Sequence, residues 1–273
     1  MTRRPPATRE GAVVPKKALG QHFLADPNIL GVIGRLAELD PEDVVLEVGP
    51  GLGVLTRYLA DRVAHVHAIE LDRSLEPHLR EELRSAVNVA LVFADALDVD
   101  PNALDPVPGK LVSNLPYAVA TPIVVETLLR APALQHWCVM VQREVADRFF
   151  AAPGSKAYGA VSVVVQLTSR RTGFHPVSRT VFRPPPNVDS ALVAFGRIAP
   201  PGDLQDVRRV VDAAFGHRRK TLANALALAA VASRERAVEA LGTVGARPDA
   251  RAESLEPTAF VELARALRDS EPG

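Results

Sequence analysis

The sequence predicts an α/β protein, with a mostly parallel sheet covered by helices on both faces and a small helical domain at the C-terminal end. Between residues 44 and 141, short apolar runs of β type alternate with helical patterns, which is typical of such a sheet. After residue 198, apolar residues recur at helical spacing only. The first long β run also ends in a glycine-rich loop that opens a helix, a common ligand-binding arrangement.

Composition excludes several other classes of protein. The chain has 273 residues, of which 47% are hydrophobic and 23% charged, so we expect a folded globular protein of one or two domains. One cysteine excludes an internal disulfide framework and a multi-cysteine zinc site. No apolar run approaches the roughly 20 residues of a membrane span, and the N-terminus lacks the apolar core of a secretory signal. We therefore expect a cytoplasmic protein without a membrane partner.

The elements follow in order along the chain. Five β runs of the parallel sheet are predicted at residues 44–48, 66–69, 90–93, 110–113 and 138–141. Helical patterns at 54–62 and 122–130 lie between them. Right-handed crossovers place the ligand crevice at the carboxyl ends of these strands.

Two further β runs, 161–165 and 191–195, have no good helix between them. We interpret them as an antiparallel pair at one edge of the sheet, because a proline-rich segment joins them. Later helices are predicted at about 207–215, 220–232, 235–241 and 258–268. The resulting divisions are a flexible basic tail (1–15), a sheet domain (16–198) and a helical domain (199–273).

The strongest single motif is the glycine loop that follows the first long strand, with glycines at Gly49, Gly51 and Gly53. A dinucleotide-binding loop would place its third glycine at position 54, which is valine, and this disfavours a nicotinamide dehydrogenase. The G-x-G-x-G pattern resembles the loop of S-adenosylmethionine (SAM)-dependent methyltransferases, and a purely structural glycine turn is the alternative. Glu70 ends the next strand, where a carboxylate can accept both hydroxyls of a cofactor ribose.

Other polar residues also follow strands. Asp95 follows the third strand and could accept a hydrogen bond from an adenine amino group, although a helix-capping role is equally compatible.

Asn114-Leu115-Pro116-Tyr117 follows the fourth strand and resembles the tetrapeptide of methyltransferases that act on amino groups of bases. The Asn114 side chain and the Leu115 carbonyl can accept from the amino group, Pro116 fixes the turn, and Tyr117 can stack on the base. An ordinary turn is the alternative.

Several motifs together resemble the bacterial small-subunit rRNA adenine-N6,N6-dimethyltransferases. The resemblance runs from about residue 16 to the end. Its motifs are the segments 17–24, 46–53, 114–117, 141–146, 153–159, 182–190 and 215–222. It implies a Rossmann-like SAM-binding sheet, a small helical domain, and dimethylation of two adjacent adenosines in the hairpin loop near the 3′ end of small-subunit rRNA, late in ribosome assembly.

The resemblance also implies roles for particular residues. The residues expected to contact SAM are His22, Leu24, Gly49, Glu70, Asp95 and Asn114, with Gly51 in the same loop. Residues 114–117 would receive the target base. Position 22 is usually asparagine in this family, and position 118 is commonly asparagine but is Ala118 here. We expect no metal, because the histidines lack metal-ligand spacing.

Basic residues cluster although the net charge is zero, from 32 basic and 32 acidic residues. The candidate RNA-binding residues are Arg143, Arg148, Lys156, Arg183, Arg218, Arg219 and Lys220. The last three are expected to open a helix. Cations interact unfavourably with the helix dipole at that end, which favours a phosphate as their partner. Ordinary solvated faces are the alternative.

Three functional hypotheses stay open. The first is the small-subunit enzyme acting on the 30S ribosomal particle, and the second is a methyltransferase of large-subunit rRNA of the macrolide-resistance type. The third is a non-enzymatic RNA-binding assembly factor that retains the fold. No coiled-coil pattern is present, and we expect a monomer.

Overall fold

The computed structural model of the protein describes residues 21–202, 204–217 and 219–269. The strands within this part are β1 Phe23–Leu24, β2 Val44–Val48, β3 His65–Glu70, β4 Val89–Phe93, β5 Lys110–Asn114, β6 His136–Gln142, β7 Ser169–Val177, β8 Phe182–Arg183 and β9 Ser190–Arg197. The helices are α1 Pro27–Leu36, α2 Val54–Ala60, α3 Glu76–Glu82, α4 Ala120–Arg130, α5 Arg143–Phe149, α6 Ala160–Thr168, α7 Leu204–Gly216, α8 Leu222–Leu228, α9 Arg234–Thr243 and α10 Pro257–Asp269. The predicted basic tail, residues 1–15, and Arg218 lie outside the described residues.

The main sheet has the strand order β4-β3-β2-β5-β6-β9-β7. The first five strands are parallel, and β9 runs antiparallel to both β6 and β7. The order reverses between β2 and β5, so the carboxyl ends of these two neighbouring strands form a crevice. The short strand β1 pairs with β8 rather than with the main sheet and brings the segment around Phe23 to this crevice.

One predicted strand is wrong. Residues 161–165 lie in helix α6, and the edge strand that pairs with β9 is β7, directly after it. Val163 and Val164 face the C-terminal helices while Val165 faces the sheet core, so α6 is buried on nearly all sides. A short apolar helix without a polar face has the same pattern as a buried strand, and the β-branched valines favoured the wrong choice. An antiparallel pair does lie at this edge of the sheet, but β9 pairs there with β7 and not with residues 161–165.

Both faces of the sheet carry a hydrophobic core. Leu46 and Val48 pack toward α4 and α5, whereas Val45, on the opposite face, packs toward α1 and α2. Trp137 is fully buried on β6, stacks on Phe195 with ring centroids 5.4 Å apart, and donates its indole N–H to the Thr127 hydroxyl. This side chain ties α4 to two strands of the sheet.

The C-terminal helices α7 to α10 surround a core that they share with α6. The helix predicted at 220–232 is shorter than expected, because α8 begins at Leu222 and ends at Leu228. Arg219 and Lys220 therefore lie in the turn before α8 and do not open the helix. None of the described helices is long and apolar enough to span a bilayer.

Candidate active site

The floor of the crevice is the glycine loop between β2 and α2. Gly49 and Gly51 adopt left-handed backbone angles, φ +76° and φ +59°, which a side chain would strain. A Cβ at Gly49 would lie 3.2 Å from the Pro116 ring, and a Cβ at Gly51 would lie 3.0 Å from the Phe23 ring. The loop therefore needs glycine both for its conformation and for its close approach to the turn at 114–117 and to strand β1.

Glu70, the last residue of β3, joins its strand to this loop. The Glu70 carboxylate accepts hydrogen bonds from the backbone N–H of Gly51 at 3.2 Å and of Asp72 at 2.8 Å. The residue is only 6% exposed, and burial raises the pKa of its carboxyl group, while the two N–H donors oppose that shift. These two bonds hold the carboxylate at the tip of β3, beside the glycine loop.

The turn Asn114-Leu115-Pro116-Tyr117 continues from the end of β5. Asn114 donates its amide N–H to the His22 carbonyl at 3.3 Å, and among the described residues none donates to its side-chain oxygen. The Tyr117 hydroxyl hydrogen-bonds the Ser190 hydroxyl at 2.6 Å, and its ring lies 5.8 Å from the His22 ring. Burial raises the Tyr117 pKa, so the phenol stays protonated at neutral pH. The amide oxygen is therefore available as an acceptor beside an aromatic ring.

These parts enclose one cavity of about 480 Å³, a size typical of small-molecule sites. The predicted site residues that line it are His22, Leu24, Gly49, Gly51, Glu70, Asp95, Asn114, Leu115, Pro116 and Tyr117. The structure thus brings together the residues predicted for the cofactor and for the base. Ala118 also lines the wall and offers no polar side chain.

The predicted RNA-binding residues do not form one patch with the cavity lining. Arg183 pairs with Phe23 in the β1–β8 ladder, and Arg143 begins α5 directly after β6, so both lie at the carboxyl end of the sheet. Arg148 is half-buried on α5. Lys156, Arg219 and Lys220 are exposed in loops outside the cavity wall. Arg143 forms an ion pair with Asp147 on its own helix.

Sequence reasoning missed two polar residues at the site. Glu47, on β2, is 1% exposed and lines the cavity. A charged residue inside an otherwise apolar strand was the available signal. Ser190, at the start of β9, supplies the partner for Tyr117 from 73 residues away, and no local pattern indicates that contact.

Other candidate chemistry is structural. Cys138 is fully buried on β6, and burial raises its pKa to about 12, which makes its thiol unreactive. Within the part of the chain that the structure describes, no group of three or more His, Cys, Asp or Glu side chains could share a metal ion.

The strand order, with an antiparallel strand inserted beside the edge and a glycine-floored cavity at the strand tips, defines a Rossmann-like methyltransferase. Solved structures share this fold. One is a dimethyladenosine transferase from Plasmodium falciparum, with a TM-score of 0.74 at 22% identity, covering 89% of this chain and 96% of that one. Another is the 23S rRNA methyltransferase ErmE, with a TM-score of 0.67 at 30% identity, covering 90% of this chain and 99% of that one.

The chain belongs to the ribosomal RNA adenine dimethylase family, whose model matches residues 14–268. It is similar to the Ribosomal RNA small subunit methyltransferase A of Rubrobacter xylanophilus, at 48% identity over 93% of this chain and 95% of the relative. The protein of the same name from Thermobifida fusca is 46% identical over 92% of this chain and 89% of the relative.

Proposed function

We propose that this protein is a SAM-dependent adenine-N6 dimethyltransferase of small-subunit rRNA. Its substrate would be two adjacent adenosines in the 3′-terminal hairpin loop of 16S rRNA, modified in the cytoplasm during assembly of the 30S particle, with the enzyme acting as a monomer. The observation that carries the proposal is the contact between the glycine loop and the turn at 114–117, which places acceptors for an amino group at the edge of a cofactor-sized cavity.

The residues around the cavity fit SAM. The left-handed glycines let the loop approach the Pro116 and Phe23 rings closely at the cavity floor, and Glu70 is fixed by two backbone N–H groups where it can accept the ribose hydroxyls. Asp95 lies at the cavity rim, where it can accept from the adenine amino group; its carboxylate also accepts from Leu97 N–H at 2.9 Å. His22, Leu24 and Asn114 line the same cavity and would also contact SAM. The chemistry that SAM supplies when bound is an electrophilic methyl group on a sulfonium.

The turn would activate the target base by position rather than by an ionised base. The Asn114 side-chain oxygen and the Leu115 carbonyl accept hydrogens of the adenine amino group, which localises the nitrogen lone pair toward the methyl group. The Tyr117 ring stacks on the flipped adenine, a contact worth about 1–3 kcal/mol. Bound SAM would supply the methyl group in exchange for its carbon–sulfur bond, the turn at 114–117 would hold the amino nitrogen in line with that methyl group, and the amino proton would leave to solvent. Alignment supplies most of the rate.

RNA would bind through basic residues at the carboxyl end of the sheet and in loops outside the cavity wall. The candidates are Arg143, Arg148, Lys156, Arg183, Arg218, Arg219 and Lys220, of which Arg218 lies outside the described residues. Arg183 donates to backbone carbonyls and forms no ion pair with a described residue, so it is available to a phosphate. Binding should weaken steeply with salt, and each phosphate contact removed should reduce the slope of log K against log salt by about 1.

The test is transfer of radiolabelled methyl groups to unmethylated 30S particles, followed by nucleoside analysis for dimethyladenosine. Asn114→Ala should abolish transfer and still bind SAM measurably. Asn102→Ala, which removes an exposed asparagine bonded to Asp100 and to the Arg130 carbonyl, is the matched control and should keep full activity. Full activity in purified Asn114→Ala would refute the assigned roles.

The second candidate is methylation of large-subunit rRNA, which the 30% identity to 23S rRNA methyltransferase ErmE favours. The small-subunit assignment is preferred because relatives of that name are 41–48% identical to this chain. Parallel incubations with 30S and 50S particles separate the two. Tight SAM binding without transfer to either particle would favour a non-enzymatic assembly factor.

A further inference from the structure

Glu47 is a buried acid in the cavity wall that the proposed methyl transfer does not use. It is 1% exposed on β2, immediately before the glycine loop, and it lines the same cavity as Glu70 and Asn114. Its Oε2 atom has no hydrogen-bond partner among the described residues. A buried carboxylate without a cationic partner is unfavourable, so the side chain needs either a proton or a positive charge beside it.

The surroundings of Glu47 oppose its ionisation. The Glu47 pKa is raised to about 8, with burial as the largest cause and the negative charge of Glu70 on β3 as a smaller one. The Thr56 hydroxyl, which faces it from α2, lowers it. The other titratable side chains in the cavity wall are Asp95, His22 and Tyr117, and no lysine or arginine is among the described residues that line it.

We propose that Glu47 is protonated in the cofactor-free protein and ionises when SAM binds, so that it favours the positively charged donor over the product. This inference rests on the proposed function, because it requires SAM to occupy this cavity. SAM carries a net charge of about +1 at neutral pH, whereas S-adenosylhomocysteine, its thioether product, carries none. A carboxylate formed beside the donor is stabilised by its charge, and that stabilisation is lost when the methyl group leaves.

This change of charge favours the replacement of bound S-adenosylhomocysteine by SAM. After methyl transfer the sulfur is neutral, so Glu47 takes a proton from solvent and the attraction to the bound product disappears. Two adenosines that each receive two methyl groups require repeated exchange of product for donor. Because the charge of Glu47 changes together with the charge on the bound sulfur, Glu47 favours this exchange and needs no contact with the RNA.

The test is isothermal titration calorimetry of SAM and of S-adenosylhomocysteine in two buffers of different ionisation enthalpy. At pH 7, wild-type protein should release about 0.9 proton per SAM bound and clearly fewer per product, with release fading above pH 9. The ratio of the Kd for S-adenosylhomocysteine to the Kd for SAM should increase about tenfold for each unit by which the pH rises, up to about pH 8.

Glu47→Gln keeps the shape of the neutral acid and should remove both the proton release and the pH dependence of that ratio. Glu42→Gln, an exposed acid outside the cavity, is the matched control and should behave as wild type. Unchanged proton release in Glu47→Gln, or equal release with both ligands, would overturn the inference. Absence of any SAM-binding heat would instead overturn the proposed function.

Discussion

Replacing Gly49 by alanine tests whether the glycine loop positions the turn at 114–117. The substitution has two separate effects. Alanine at φ +76° is strained by about 1–2 kcal/mol, as for any L-residue in the left-handed region. In addition, its Cβ would lie 3.2 Å from Pro116 Cγ and Cδ, tighter than ordinary contact, so the turn must move by a few tenths of an ångström.

A matched control separates the two effects. Gly245 has φ +69°, and a Cβ there would meet nothing within 4 Å. Gly245→Ala therefore carries the backbone strain alone. Backbone strain should lower the unfolding free energy of both variants by about 1–2 kcal/mol, which lowers Tm by about 2–8 °C, and the close contact with Pro116 should add to the loss in Gly49→Ala.

The two variants should differ in activity. Only Gly49→Ala displaces the acceptors for the target amino group, and small displacements of reacting groups are costly, so kcat should fall by about tenfold or more. SAM affinity, thermal melting and methyl transfer to 30S particles would be measured for both proteins. Wild-type kcat in Gly49→Ala, or an equal loss in Gly245→Ala, would refute the argument that this contact aligns the turn.

Further predictions concern single contacts. Tyr117→Phe keeps the stacking ring but loses the hydroxyl bond to Ser190, so activity should fall less than tenfold, while Tyr117→Ala should lose far more in the same transfer assay. Trp137→Phe loses the bond to Thr127 and leaves a void, and urea unfolding should show a loss of about 1–3 kcal/mol. Because the folded pKa of Glu47, about 8, exceeds the ordinary 4.5, its burial costs stability increasingly as pH rises between these values. Glu47→Gln should therefore stabilise the cofactor-free protein by about 3 kcal/mol at pH 7 and by almost nothing at pH 4, and melting at both pH values checks this. Arg183→Ala should lower the salt slope of RNA binding by about 1, whereas Arg247→Ala, whose guanidinium is already paired with Asp249, should not.

Much of this fold could be predicted from local sequence. The strand β2, the glycine loop and the turn at 114–117 depend on alternation of apolar residues and on the chemistry of glycine and proline, which act over a few residues. Parallel strands that share one sheet edge then bring Glu70 to the glycine loop, because their carboxyl ends coincide.

Other features depend on what covers a segment in the folded protein. Helix α6 has no polar face, because the sheet lies on one side and the C-terminal helices on the other, and its pattern alone could not distinguish it from a strand. The pairing of β1 with β8 sets His22 against Asn114, 92 residues away. The local elements and the chemistry of the motifs follow from neighbouring residues in the chain. The raised pKa of Glu47 depends instead on the folded surroundings, because desolvation depends on every group that surrounds a side chain.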